Sequence, residues 1–445
     1  MPASTVAASR GITMDEPKPL TSAFTKTANF SIHEVDEVFR DAAQPAAGAA
    51  ARAARPPVTL PPILGPLSAF TGTFTGQGFN TIFRPDSKIT PTPMPGPIST
   101  TDPDDNVLEL NLTDETMSFS NNLGSIPNRG SLQQADAFLN GVPYLQTIND
   151  ITTGTPVGIH FEPGIWLAVP ATTIPHEPFT VARMASIPHG TTIVAQGTAL
   201  PPVAGKPTIA AIDITPFIGG NPGNKITFQN QTATNKTTRR LPQDLTALMA
   251  SGKLTQAMIT DPNTVLRDQI AHQTITQTIV IETSTKPGTP LSGGPLPAIP
   301  SPGPHPQAPS FAGGAANIAF LQGLPVPTPG GNGSNANAFQ MDAVFWIETV
   351  VYDIDVPALP PGTPPVILQP RQRSNVPLVP SFVAAIPFVP NKGFKGGHVR
   401  VATTQIQYSQ KVMLDFAGLT WPHVSVASLV PAAPVPIPDH LLPLT

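Results

Sequence analysis

Cysteine is absent from this 445-residue chain. That excludes disulfides, thiolate nucleophiles, iron–sulfur clusters, thiolate haem ligation and cysteine zinc sites. Charge is sparse too: Asp, Glu, Lys and Arg make up 12% of residues, and the net charge is -4. With no basic stripe to neutralise a phosphate backbone, nucleic acid is not an expected partner. No apolar run reaches the ~18 residues that cross a bilayer, so no membrane span is expected. Met1 to Leu20 lacks the apolar centre of a signal peptide, so the expectation is an intracellular protein. The sequons at Asn111, Asn230 and Asn235 then carry no weight. Also missing are His-Glu-x-x-His, a Walker loop and a Gly-x-Ser-x-Gly elbow. Gly219 to Lys225 has the glycines and lysine of a phosphate loop, but Pro222 interrupts it and no Ser or Thr stands directly after Lys225.

What the chain has in plenty is proline (58) and glycine (35), together about a fifth of it. Interior proline breaks helices, so a helical bundle is excluded and a β protein with many turns is expected. Residues 1–60 read as a tail and linker, with one candidate helix from Ser31 to Ala42. Residues 61–200 carry strand-like stretches. Phe70, Gly72, Phe74, Gly76 and Gly78 alternate with threonines; Val107 to Ser120 reads as two strands about a turn at Asp114-Glu115. Further strands are Tyr144 to Ile151 and Gly158 to Pro170, with a hairpin over Pro188-His189-Gly190. Residues 201–338 read as a mixed insertion of short helices, a strand at Thr274 to Glu282 and Pro/Gly-rich loops, with a helix capped by Asp261 and started by Pro262. Strands resume over 339–430, and 431–445 is a Pro-rich tail. Short strands, one of them glycine-kinked, separated by turns predict a mainly β fold, a closed antiparallel barrel of lipocalin type. Its first and last strands must pair.

The last strand, Gly418 to Leu429, holds a single imidazole. Val424, Val426 and Ser428 point one way; His423, Ser425, Ala427 and Leu429 point the other. A histidine among small and apolar neighbours faces an interior. It is either a hydrogen-bonded structural residue or a metal or haem ligand.

Four segments in order resemble the nitrobindin family of haem-binding β-barrels. The family's opening Gly-x-Trp-x-Gly-x-Gly and Thr-Ile step is similar to Gly72-Thr-Phe-Thr-Gly76-Gln-Gly78-Phe-Asn-Thr81-Ile82, with Phe74 for Trp. Its His-x-Glu-x-Gly-aromatic-Trp strand is similar to His160-Phe-Glu162-Pro-Gly164-Ile-Trp166, with Ile165 for the aromatic. Pro188-His189-Gly190 resembles the Pro-Thr-Gly turn of the next hairpin, and the final strand resembles the one that bears the proximal histidine. The resemblance implies haem b as cofactor, with His423 on the metal. His160, Trp166, Met184, Ile82 and Met413 would line the site, although His160 also reads as a structural residue hydrogen-bonded to Glu162 or the backbone, and Arg183 would be placed for a propionate or simply exposed. It also implies peroxynitrite isomerase-like or peroxidase-like chemistry and a possible homodimer. Read from the residues alone, the same barrel is a carrier of an apolar small-molecule ligand, with His423 structural, or an interaction protein docking through its Pro-rich loops.

Overall fold

The structure, a computed structural model, describes residues 63–445 apart from 90, 132–134, 174–175, 188–189, 220, 286–335 and 372–377. The candidate helix at Ser31 to Ala42, His189 of the expected hairpin turn and the Lys286 to Pro309 loop lie outside the described residues.

Ten strands close into an antiparallel barrel in which each pairs with its neighbours in sequence. They are β1 (Gly72–Pro85), β2 (Asn106–Phe119), β3 (Ala137–Asp150), β4 (Val157–Val169) and β5 (Thr180–Ser186). The second half is β6 (Thr192–Ala199), β7 (Thr274–Ser284), β8 (Asn337–Val356), β9 (Gly397–Phe416) and β10 (Leu419–Pro431). β1 and β10 close the ring, from Phe74 opposite Pro431 to Thr81 opposite Val424. Closure gives every edge strand a partner. Among the described residues no helix is long and apolar enough to cross a membrane.

Period-two alternation sends one set of side chains inward along each strand. On β4 that set is His160, Glu162, Gly164 and Trp166; on β10 it includes His423 and Ser425, as the alternation predicts. The interior is layered. One end is an aromatic plug, in which Phe70 stacks on Phe119 at 4.7 Å and Trp166 meets Phe345 edge-on at 5.0 Å. The short helix Gly65–Ala69 leads into this plug and buries Leu67. A polar layer follows, and then a cavity. Two glycines make the layering possible. A Cβ on Gly78 would fall 2.8 Å from the Glu115 carboxylate, and one on Gly164 would fall 2.6 Å from the Tyr144 ring.

The segment read as an insertion is partly barrel, since Thr274–Ser284 is β7, hydrogen-bonded between β6 and β8. Its earlier part packs on the outside. Phe217–Ile218 pairs with β10, Arg240–Leu241 pairs with β2, and Gln407 on the outer face of β9 donates to the Leu266 carbonyl. Buried Arg240 is held there by backbone carbonyls, including those of Asn230, Thr232 and Asn235. None of the residues 201–285 lines the cavity.

Three further expectations are corrected. Asp114-Glu115 is no turn: β2 runs straight through, and Glu115 is buried inside the barrel. Asp261 caps no helix N-terminus. It follows the helix Gln256–Thr260, and its carboxylate accepts from the Ile212 amide at 2.9 Å and from Arg267. The residues 431–445 are no loose tail, because Val435–Pro436 pairs with Phe382–Val383 and Leu442 is buried.

Trp421 joins the barrel to its outer cover. It stacks on Phe416 at 4.6 Å, meets Phe83 at 5.2 Å and Phe228 of the covering segment at 5.1 Å, and donates to the Phe416 carbonyl. Trp421→Ala is expected to lower stability by about 3–5 kcal/mol, read from urea unfolding midpoints at unchanged m-value.

Candidate functional site

β4 and β5 supply the centre of the polar layer. Glu162 and Arg183 sit on inward positions of adjacent strands and are buried together, with Arg183 Nη2 at 2.5 Å from Glu162 Oε1. The Tyr144 hydroxyl donates to the same carboxylate oxygen and accepts from Arg183 Nε at 2.9 Å. His160 Nε2 lies 3.0 Å from Glu162 Oε2; a carboxylate only accepts, so that nitrogen carries the proton. Arg183 Nη1 donates to Gln410 Oε1 at 2.6 Å. The guanidinium also lies 5.3 Å from the Phe345 ring centroid and 5.8 Å from that of Trp166. Burial alone would push Glu162 upward, but Arg183, His160 and Tyr144 outweigh it and hold the carboxyl well below its usual range.

A second carboxylate lies beside this group. Glu115 Oε2 accepts from the Tyr408 hydroxyl at 2.5 Å and from Gln146 Nε2 at 3.3 Å, and Oε1 accepts from Thr113 at 2.8 Å. It has no cation in hydrogen-bond contact. Burial therefore wins over these bonds and raises the group from 4.5 to about 7.

Beyond the polar layer is a cavity of about 210 Å³. Ile82, Ile148, Ile187, Val412 and Leu414 give it apolar walls. Gln146, His160, Tyr408, Gln410, His423 and Ser425 give it polar ones. Gly190 and Thr191, from the β5–β6 turn, also line it. An apolar cavity of ~150 Å³ takes up benzene, so this one has room for a single substituted ring.

No protein-family model, curated protein or solved structure matches the chain.

Of the six residues expected at the site, three line the cavity: Ile82, His160 and His423. Trp166 points inward but is fully buried in the aromatic plug, on the far side of the polar layer. Met184 lies between inward Arg183 and buried Ala185, faces out, and is 39% exposed. Met413 falls between Val412 and Leu414, which line the cavity, so alternation turns it to the outer face. Arg183, expected at a propionate or in solvent, is paired in the interior.

His423 meets the Asn80 amide, with Nε2 at 2.9 Å from Asn80 Nδ2. The same amide nitrogen donates to Ser425 Oγ at 2.7 Å, while Asn80 Oδ1 accepts from Asn111. With that orientation Nε2 is the unprotonated ring nitrogen and its lone pair is taken. A porphyrin would need this bond broken and a space several times that of one ring. The residues as arranged do not fit an iron porphyrin. Among the described residues, no group of three or more His, Asp or Glu could hold a metal ion either.

Sequence reasoning missed Asn80, Glu115, Gln146, Tyr408 and Gln410. The signal available was β1, where the glycine at 78 leaves room for the Glu115 side chain of the partner strand.

Two outcomes test this layer. Arg183→Met leaves Glu162 buried without its cation and is expected to cost about 3–5 kcal/mol, whereas Arg183→Met with Glu162→Gln costs less; a double-mutant cycle in urea measures both. Glu115 is raised in the folded state, so its ionisation opposes folding: its contribution falls as pH rises from 4.5 to about 7, then levels off. Glu115→Gln is expected to remove that decline, worth up to about 3 kcal/mol, in unfolding free energies measured from pH 4 to pH 8.

Proposed function

We propose that this barrel is a carrier of a compact, mostly apolar small molecule seated in the cavity above the polar layer. The observation that supports the reading is the cavity itself. A barrel interior that were only structural would be filled with side chains along its whole length, as the plug end is. Here the packing stops at a layer of fixed hydrogen-bonding groups, and apolar walls continue beyond it. Few polar groups at defined places in an apolar cup are the features that orient a small ligand. His423 serves in this reading as a wall residue held by Asn80.

The test uses the full chain. Single-ring compounds are screened by thermal unfolding, where a ligand at 100 times its Kd stabilises by about 2.7 kcal/mol. Val412→Phe, which places a ring in the cavity, is expected to abolish the stabilisation while unfolding stays cooperative. Stabilisation that survives Val412→Phe would overturn the reading. So would a Soret band on haemin addition that His423→Ala removes, which would return the protein to haem chemistry.

A further inference from the structure

The two cavity-facing amides are oriented from behind by charged groups, and that orientation dictates what they present to a ligand. Gln410 Oε1 accepts from Arg183 Nη1 at 2.6 Å. A guanidinium only donates, so the amide cannot turn over, and the Gln410 NH2 is directed away from Arg183. Gln146 is fixed in the opposite sense. Its Nε2 donates to Glu115 Oε2 at 3.3 Å and to the Tyr408 hydroxyl at 2.9 Å. That hydroxyl donates its own proton to Glu115, so it has only a lone pair to offer Gln146. The Gln146 carbonyl is then the end left to the cavity. Turning either amide over would set like against like beside a buried charge, at about 1–3 kcal/mol or more. Both side chains line the cavity, and the ends not held from behind are the Gln410 NH2 and the Gln146 carbonyl.

The wall's charge narrows the ligand further. Arg183 is neutralised by Glu162, and Arg84, at the end of β1, pairs with Glu109 at 2.6 Å. Neither cation is left over for a carboxylate or phosphate, and Glu115 behind Gln146 adds only negative charge.

Building on the carrier reading, we infer that the ligand is an uncharged single-ring compound bearing a carbonyl beside an N–H, as in a lactam, cyclic amide or imide. Its carbonyl accepts from the Gln410 NH2, its N–H donates to the Gln146 carbonyl, and its ring lies against Ile148, Val412 and Leu414. Ketones of the same size satisfy only Gln410. Hydrocarbons satisfy neither amide, and acids bring a charge that has no counter-ion here.

The experiment compares four probes of one size on the full chain by NMR titration: 2-piperidone, cyclohexanone, methylcyclohexane and cyclohexanecarboxylate. The lactam is expected to bind about 10–100-fold tighter than the hydrocarbon, with the ketone between and the carboxylate weakest. Gln410→Glu keeps an acceptor for Arg183 but replaces the donor facing the ligand. It is expected to erase the lactam's advantage over methylcyclohexane. If the hydrocarbon or the carboxylate binds as tightly as the lactam, and Val412→Phe abolishes that binding, the carrier reading stands and the lactam inference fails. If no probe binds, or Val412→Phe changes nothing, both fail.

Discussion

The ion pair between Arg183 and Glu162 is the interaction on which the interior depends. Two charges removed from water are tolerated only when every remaining donor and acceptor around them is satisfied. Here Tyr144, His160 and Gln410 complete the set, and three aromatic rings surround the guanidinium. Each of those partners is thereby locked in one orientation. The pair's contribution is more geometric than energetic, because a well-packed apolar replacement would serve stability about as well. What the pair adds is a boundary: aromatic packing on one side, hydrogen-bonding groups facing open space on the other.

The barrel supplies the rigid frame for this arrangement. Neighbouring strands in sequence are neighbours in space, and the first pairs with the last. The segment before β7 binds the outer face, where it buries polar groups such as Gln407 that alternation turns away from the interior. The chain therefore has two polar layers, one within the barrel and one beneath its cover. The inner one adjoins the cavity.

Much of the frame was legible in the residues. The glycine-rich alternation of β1, the His160 to Trp166 spacing on β4 and the inward face of β10 are period-two patterns, and the backbone obeys them. The site was legible only in part. His160 and His423 stand on inward positions and line the cavity, but Met184 and Met413, apolar enough for a cavity wall, stand at positions that strand parity puts outside. Glu115 was hidden because Asp114-Glu115 looks like a turn. Its local preference is for a turn; the pairing of β2 with both β1 and β3 overrides that preference.

The sequence by itself determined the class of fold and which face of each strand looks inward, because alternation is a property of the extended backbone alone. Which inward residues touch was decided by ring closure. Gln146 and Tyr408 lie 262 positions apart, and Arg183 and Gln410 lie 227 apart. No local pattern encodes such distances. The register of ten strands does, and with it the donor and acceptor that face the cavity.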